Sequence, residues 1–236
     1  MIDGLWAWFT DPAQWQGTDG IPNRVFEHLT LSIPPVALAA LLAIPIGVVL
    51  GHTRRGAFLT ISVANVGRAL PSFAVLVLAL PLAIRWGLGL SYWPAFAALF
   101  LLAIPPILVN AYTGVREVDP EIREAARGMG LKPRQILTRT ELPIAVALIL
   151  TGLRIASVHV IATAPLAALA AGGGLGRYII DGLATLNIPE VLGGAILVAA
   201  LALSFEAGFS LLQRVTASPG LARGPYLDAL TRSKPG

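Results

Sequence analysis

The sequence predicts an all-α, polytopic membrane helix bundle. Hydrophobic residues make up 56% of the chain against 13% charged, and the mean hydropathy is +0.74. Apolar runs near or above the roughly 20 residues that a helix needs to cross a bilayer follow one another along the chain. The 236 residues therefore read as one membrane domain, far from the composition of a soluble one. The net charge of +4 is dispersed between the apolar runs, so it concerns topology and points to no nucleic-acid partner. The chain has no cysteine, which removes disulfides, thiolate metal sites and cysteine nucleophiles together. His28, His52 and His159 lie too far apart in sequence to suggest a metal site.

Residues 1–28 form an extracytoplasmic or interfacial segment that is acidic and carries Trp6, Trp8 and Trp15. It lacks the basic opening of a secretory signal and is expected to stay on the mature chain. The indoles suit either the headgroup level or ordinary packing. Five spans are expected, at about 29–51, 57–84, 92–113, 142–164 and 190–213. The second holds Pro71 and Pro81, and proline removes a backbone donor and clashes with the preceding turn, so this run is either one kinked helix or two shorter elements. Small-residue runs such as 167–174 suggest close helix or backbone contacts.

An odd number of spans puts the termini on opposite faces. Arg54, Arg55, Arg116, Arg123, Arg127, Lys132, Arg134, Arg139, Arg214, Arg223, Arg232 and Lys234 then share one side, against Arg24, Arg85 and Arg177 on the other. Basic connections are retained in the cytoplasm, which places the N-terminus outside and the C-terminus inside. The tail, 214–236, is rich in Pro, Gly and Ser and is expected to be poorly ordered unless it docks on a partner.

The polar interruption at 115–143 is the most specific stretch. Asp119 followed by Pro120 is a helix start, because the carboxylate accepts an early N–H and proline fits the first helical position. Ile122, Ala125, Ala126 and Met129 then recur at i, i+3, i+4 and i+7 as a narrow apolar stripe, with Arg123, Glu124 and Arg127 off it. Gly128 and Gly130 permit a stop or sharp turn. Lys132 and Pro133 begin a second short helix carrying Ile136, Leu137 and Thr140 on one side, before Pro143 marks entry into the next span. Such an amphipathic loop either lies on the lipid surface or docks on a protein.

Charge inside a span is costly, so Arg68, Arg154 and Glu206 each need water, a partner or interfacial depth. Arg68 stands with Asn65, Pro71 and Ser72 in the broken second span, where freed backbone beside polar groups suits a water-filled cavity, a structural pair being the alternative. Arg154 reads as structurally paired, and Glu206 as partner to an arginine of this or another subunit. His159 and Thr163, one turn apart, either face a cavity or satisfy a local helix contact. No aromatic cluster is evident in the inner spans, and no concentrated set of Asp, Glu and His suggests a membrane enzyme. No G-x-x-x-x-G-K-[ST] phosphate loop occurs, so ATP hydrolysis is not expected of this chain. The run 172–176 lacks the lysine of such a loop and reads as close backbone packing.

Glu124-Ala125-Ala126, Gly130 after three further residues, and Leu142-Pro143 after eleven more resemble the EAA signature of permease subunits in binding-protein-dependent ABC importers. Thr140 stands where that family usually has an aliphatic residue. His28-Leu29 with Leu31-Ser32, then Leu70-Pro71-Ser72, then Gly173-Gly174-Leu175-Gly176 look like the osmoprotectant branch, which imports glycine betaine, carnitine, choline or proline. The resemblance implies a Type I ABC importer permease fold, with a transmembrane permease domain at 29–213 and coupling helices at about 116–141. It assigns Ile122, Glu124, Ala125, Ala126, Met129, Gly130, Leu131 and Pro143 to docking on a cytoplasmic ATPase. Asn65, Arg68, Pro71, Ser72, His159 and Thr163 are left as candidates for the translocation path.

The same resemblance implies a non-catalytic subunit that binds no cofactor, with ATP and Mg on the partner ATPase. Five helices seldom enclose a solute path, so a second permease, identical or paralogous, is expected. Two ATPase subunits, an extracytoplasmic solute-binding protein and membrane lipid complete the partners, in the inner or plasma membrane of a prokaryote. Import of another small solute such as an amino acid, an ATP-independent channel and a membrane enzyme are the rival readings. With no aromatic box in the spans, either the solute lacks a quaternary ammonium or selectivity resides in the binding protein.

Overall fold

The structure is a computed structural model that describes residues 2–69, 71–90, 92–170 and 172–216, Arg68 for its backbone alone. The side chain of Arg68, Leu70 of the Leu70-Pro71-Ser72 motif, Ala171 and the tail beyond Thr216 lie outside the described residues. Among the described residues the regular structure is helical throughout. The helices are α1 (Ile2–Thr10), α2 (Ile21–Thr53), α3 (Ala57–Ala69), α4 (Ser72–Arg85), α5 (Tyr92–Arg116), α6 (Pro120–Gly128), α7 (Pro133–Ile136), α8 (Leu142–Thr163), α9 (Gly176–Thr185) and α10 (Ile188–Thr216). Four helical runs are long and apolar enough to cross a membrane, and α3 with α4 adds a fifth as a broken pair.

The expected spans fall on these helices, with three differences. Helix α2 begins at Ile21, eight residues before the apolar run, because the polar turn 23–27 is held by side-chain bonds to Thr18 and Asp19 and by the Gly174 N–H on Glu27, which hydropathy does not register. The second span is two elements: α3 and α4 meet at 86°. Pro71, extended at φ −69° and ψ 119°, caps α4, and an extended residue there stops one helix and starts the next. The third difference concerns the second short helix, which does not end at Pro143. Helix α7 passes through a π-helical turn, Leu137–Glu141, straight into α8, with the Leu142 N–H donating to the Leu137 carbonyl. The widened turn leaves room for the Pro143 ring and absorbs its missing donor, so the helix continues through it.

Helix α5 is the centre of the bundle, packed along α2 on one side and α8 on another, while α10 lies on α8 and α9. Small residues set these spacings, as expected where lipid offers no hydrophobic contrast and packing must supply the association. A Cβ at Gly47 would lie 2.8 Å from the Leu108 carbonyl oxygen, one at Gly51 2.7 Å from that of Tyr112, and one at Gly152 2.8 Å from that of Pro106. Between them Ala39, Ala43, Ala103, Ile107, Ala156 and Val160 form the dry centre.

At the opposite end from α6, the run 172–176 folds over α2. The Glu27 carboxylate accepts from the Gly174 N–H at 2.8 Å and from Arg24 at 2.8 Å, and buried His28 donates from Nε2 to the Ile161 carbonyl at 3.0 Å. A Cβ on Gly173 would come within 2.5 Å of Glu27, so the glycines serve close backbone approach. The segment after it contains α9, which the sequence reading left as a connection. Trp8 is buried edge-on against Tyr178, whereas Trp6 and Trp15 are exposed, so of the three indoles only Trp8 is a packing residue.

The Tyr178 hydroxyl donates to the Asp19 carbonyl at 2.5 Å. Burial pushes this phenol from its ordinary 10.0 up to about 12. Tyr178→Phe is expected to cost about 1 kcal/mol, read as a lower thermal midpoint in detergent. A raised phenol keeps the wild-type advantage complete below pH 10 and loses it as the pH rises through about 12, so the two melting curves should converge at the alkaline end.

Candidate functional site: the α3–α4 cavity and the amphipathic helix α6

The break between α3 and α4 opens a cavity of about 490 Å³ against α5 and α8. Gly67 lets α3 approach α5, since a Cβ there would fall 2.0 Å from the Pro105 ring. The polar lining comes from Ser72, Asn110 and His159, with Pro71 and Pro106 shaping the wall. Asn110 donates from Nδ2 to the Pro106 carbonyl at 2.8 Å. Of the residues expected near a path, Pro71, Ser72 and His159 meet here, while Asn65 and Thr163 are not part of this lining. Asn110 was not anticipated. Its signal was available, as an amide four residues after Pro105-Pro106 in an otherwise apolar span.

Two of the charged residues inside spans, Arg154 and Glu206, resolve into a local set. Arg154 pairs with Glu206 and donates to Gln213 Oε1 at 3.0 Å, and Gln213 donates on to Thr151 at 2.8 Å, so α8 and α10 are joined by a polar seam. This is the structural pairing expected of Arg154, and it names the arginine that Glu206 uses. The expectation of no aromatic cluster is overturned. Tyr92, Trp93, Phe96 and Phe100 form a ladder along α5 with centroids 5.3 to 6.2 Å apart, because spacings of three, four and seven to eight put all four on one helical face. These rings lie outside the cavity lining.

On the other side, α6 forms as its caps dictate. The Asp119 carboxylate accepts the Glu121 N–H at 2.8 Å, with Pro120 at the first position. Gly130 ends the segment at φ +81°, a left-handed conformation that glycine adopts without a Cβ penalty, and the Leu131 N–H closes the turn on the Ala126 carbonyl at 3.2 Å. Ile122 is 45% exposed and Met129 75%, and Glu124 and Ala125 are exposed beside them.

The stripe expected on α6 is thus divided. Ala126 turns inward and is buried, and Arg123, placed off the stripe by periodicity alone, is buried with it. The physical reason is an acid that the sequence reading passed over. Glu141, fully buried at 0% exposure, sets Oε1 2.7 Å from Arg123 Nε and Oε2 2.5 Å from His52 Nδ1. The first contact is at ion-pair distance without the angle of a hydrogen bond. Arg123 Nη2 also donates to the His52 carbonyl at 3.3 Å. A buried cation needs an anion at hand, and that need outweighs the apolar pattern in orienting α6.

Spans, cavity and protruding helix define a multi-pass helical membrane protein with an amphipathic element outside the spans. Residues 43–218 match the family of binding-protein-dependent transport system inner membrane components, and the chain belongs to that family, as a permease subunit of an ABC importer. It is 36% identical over 200 residues to the choline transport system permease protein of Bacillus subtilis, which covers 85% of this chain and 90% of that one. It is 37% identical to a carnitine transport permease protein of Listeria monocytogenes, over 80% of this chain and 85% of that one. An osmoprotectant import permease protein of Salmonella typhimurium is 32% identical over 85% and 94% of the two chains. These relatives put the chain in the osmoprotectant branch of the family. Among solved structures, a chain of the MetNI methionine ABC transporter superposes with a TM-score of 0.73 at 21% identity, over 89% of this chain and 100% of that one, a likeness of fold.

Proposed function

We propose that this chain forms one half of the membrane path of an importer for a small osmoprotectant, glycine betaine, carnitine, choline or proline, driven by a separate ATPase. The observation that carries the reading is the exposed apolar face of α6. Ile122 and Met129 project from a polar segment, where an aliphatic surface finds its free energy in a protein groove. Glu124, Ala125, Gly130 and Leu131 complete that face and its turn, and Pro143 sits where α7 runs into α8. The α3–α4 cavity supplies part of the path, lined by Ser72, Asn110 and His159, and Asn65, Arg68 and Thr163 are kept as path candidates on the sequence alone.

In this reading the chain is non-catalytic and holds no cofactor; ATP and Mg bind the ATPase. Two ATPase subunits grip two permeases, identical or paralogous, and a solute-binding protein delivers cargo from outside, where the N-terminus and α9 lie. The permease domain spans 29–213, with the coupling segment at 116–141 and a cytoplasmic tail from 214. Closure of the ATPases on ATP draws α6 of each permease together and opens the cavity outward, and hydrolysis reverses it. A cavity with few polar groups holds cargo weakly, which favours release, and selectivity rests with the binding protein.

The test is reconstitution of the complete assembly in liposomes with ATP inside and labelled choline outside. Burying each of Ile122 and Met129 contributes about 1.5–3 kcal/mol, so Ile122→Asp with Met129→Asp should lower retention of the ATPase on the purified permease by at least about tenfold. Full retention by that variant would remove the docking role from α6. Uptake that proceeds without any ATPase would replace the importer with a channel.

A further inference from the structure

We propose that Glu141 is the positioning residue that ties the coupling helix to two membrane helices at once, so that movement of α6 reaches α2 and α8 together. This rests on the reading that α6 docks an ATPase. Three elements, α2 from far upstream and α6 and the π-helical turn from one connection, converge on one carboxylate that has no contact with solvent. Arg123 comes from α6, His52 from the last turn of α2, and Glu141 from the π-helical turn that leads into α8. Both carboxylate oxygens are engaged, at 2.7 Å by Arg123 and 2.5 Å by His52, and the second contact of Arg123, to the His52 carbonyl, closes the triangle.

The other buried residues at α6, among those described, are apolar and small, Val118 just before it and Ala126 on it. Such contacts resist separation but allow sliding, whereas charge pairs enclosed away from water are directional and costly to part. The location of Glu141 sharpens the point. A π-helical turn is a local departure from the regular ladder, and it lies between the surface element α7 and the span α8. The carboxylate braces that turn against α6 and α2. Without the brace, α6 stays docked and covalently attached, but its displacement dissipates in the turn.

The prediction concerns cargo moved per ATP hydrolysed in the complete reconstituted importer, with labelled choline as the probe. Glu141→Gln preserves size and removes the charge; it should leave ATPase retention and hydrolysis within about threefold of wild type while uptake falls at least about tenfold, so the ratio drops. Arg123→Gln should lower the ratio likewise, and Arg123→Lys, which keeps the cation, should restore about half of it. A purely structural role would lower uptake and hydrolysis together in proportion to assembled complex. A ratio within about twofold of wild type in Glu141→Gln therefore overturns the proposal. Should that variant fail to accumulate, His52→Asn perturbs one arm only and is read by the same ratio and threshold. Absence of ATPase from the wild-type complex would instead overturn the docking reading, and this inference with it.

Discussion

Gly47→Leu is expected to prevent assembly of the bundle. Helix α2 meets α5 through two glycines one turn apart, and the atoms opposite are largely backbone. A Cβ at position 47 would stand 2.8 Å from the Leu108 carbonyl oxygen and 3.0 Å from the Tyr112 nitrogen, and one at 51 would stand 2.7 Å from the Tyr112 carbonyl oxygen. Backbone of a central helix cannot rotate away as a long side chain would. Leucine adds three further carbons, so α2 must part from α5 along its length and lose the contacts of Ala39, Ala43 and Val48 with it. Overpacking alone costs about 1–3 kcal/mol, and forfeiting the neighbouring contacts carries the total to about 3 kcal/mol or more. The measurement is the fraction recovered as a single species in mild detergent, with its thermal midpoint. Gly208→Leu on α10, where a Cβ meets nothing within 4 Å, is the control and should behave as wild type. Equal recovery of the two variants would mean that the α2–α5 approach is not the organising contact.

Ser72→Trp is expected to block transport while leaving the complex intact. Ser72 is the first residue of α4 and faces a cavity of about 490 Å³ shared with Asn110 and His159. An indole carries about 150–250 Å² of surface and would fill the space in which cargo is proposed to pass. Uptake should fall at least about tenfold, equivalent to about 1.4 kcal/mol on the limiting step, with ATPase retention unchanged because α6 lies on a different element. His159→Ala enlarges the same cavity and should change uptake by less than about threefold, since among the described residues no ion pair or hydrogen bond of its ring anchors the wall. Normal uptake by Ser72→Trp would remove this cavity from the path and direct attention to the apolar groove between α2, α8 and α10.

The two halves of the site differed in how far they could be read before the chain was folded. The α6 start at Asp119-Pro120 and its stop at Gly130 are local: a carboxylate two residues from the N–H it accepts, and a glycine with φ +81°. The orientation of α6 is not local. Periodicity placed Arg123 with the solvent-facing charges, but its partners lie 71 residues away at His52 and 18 positions on at Glu141, and nothing in the helical repeat announces either. Glu141 itself sits in a stretch where the 3.6-residue count fails, a π-helical turn, so a helical wheel assigns its face wrongly.

Hydropathy and proline positions were enough to place five spans, to mark the second as kinked or divided and to find the protruding helix, because each depends on neighbouring residues and on transfer from water to lipid. The partners of Arg154 and Glu141, the polar wall that joins Ser72, Asn110 and His159, and the 86° turn between α3 and α4 arise from helices meeting side by side. Their register is set by glycines and alanines whose only instruction is how closely two backbones approach, and which backbone that is becomes defined when the bundle packs.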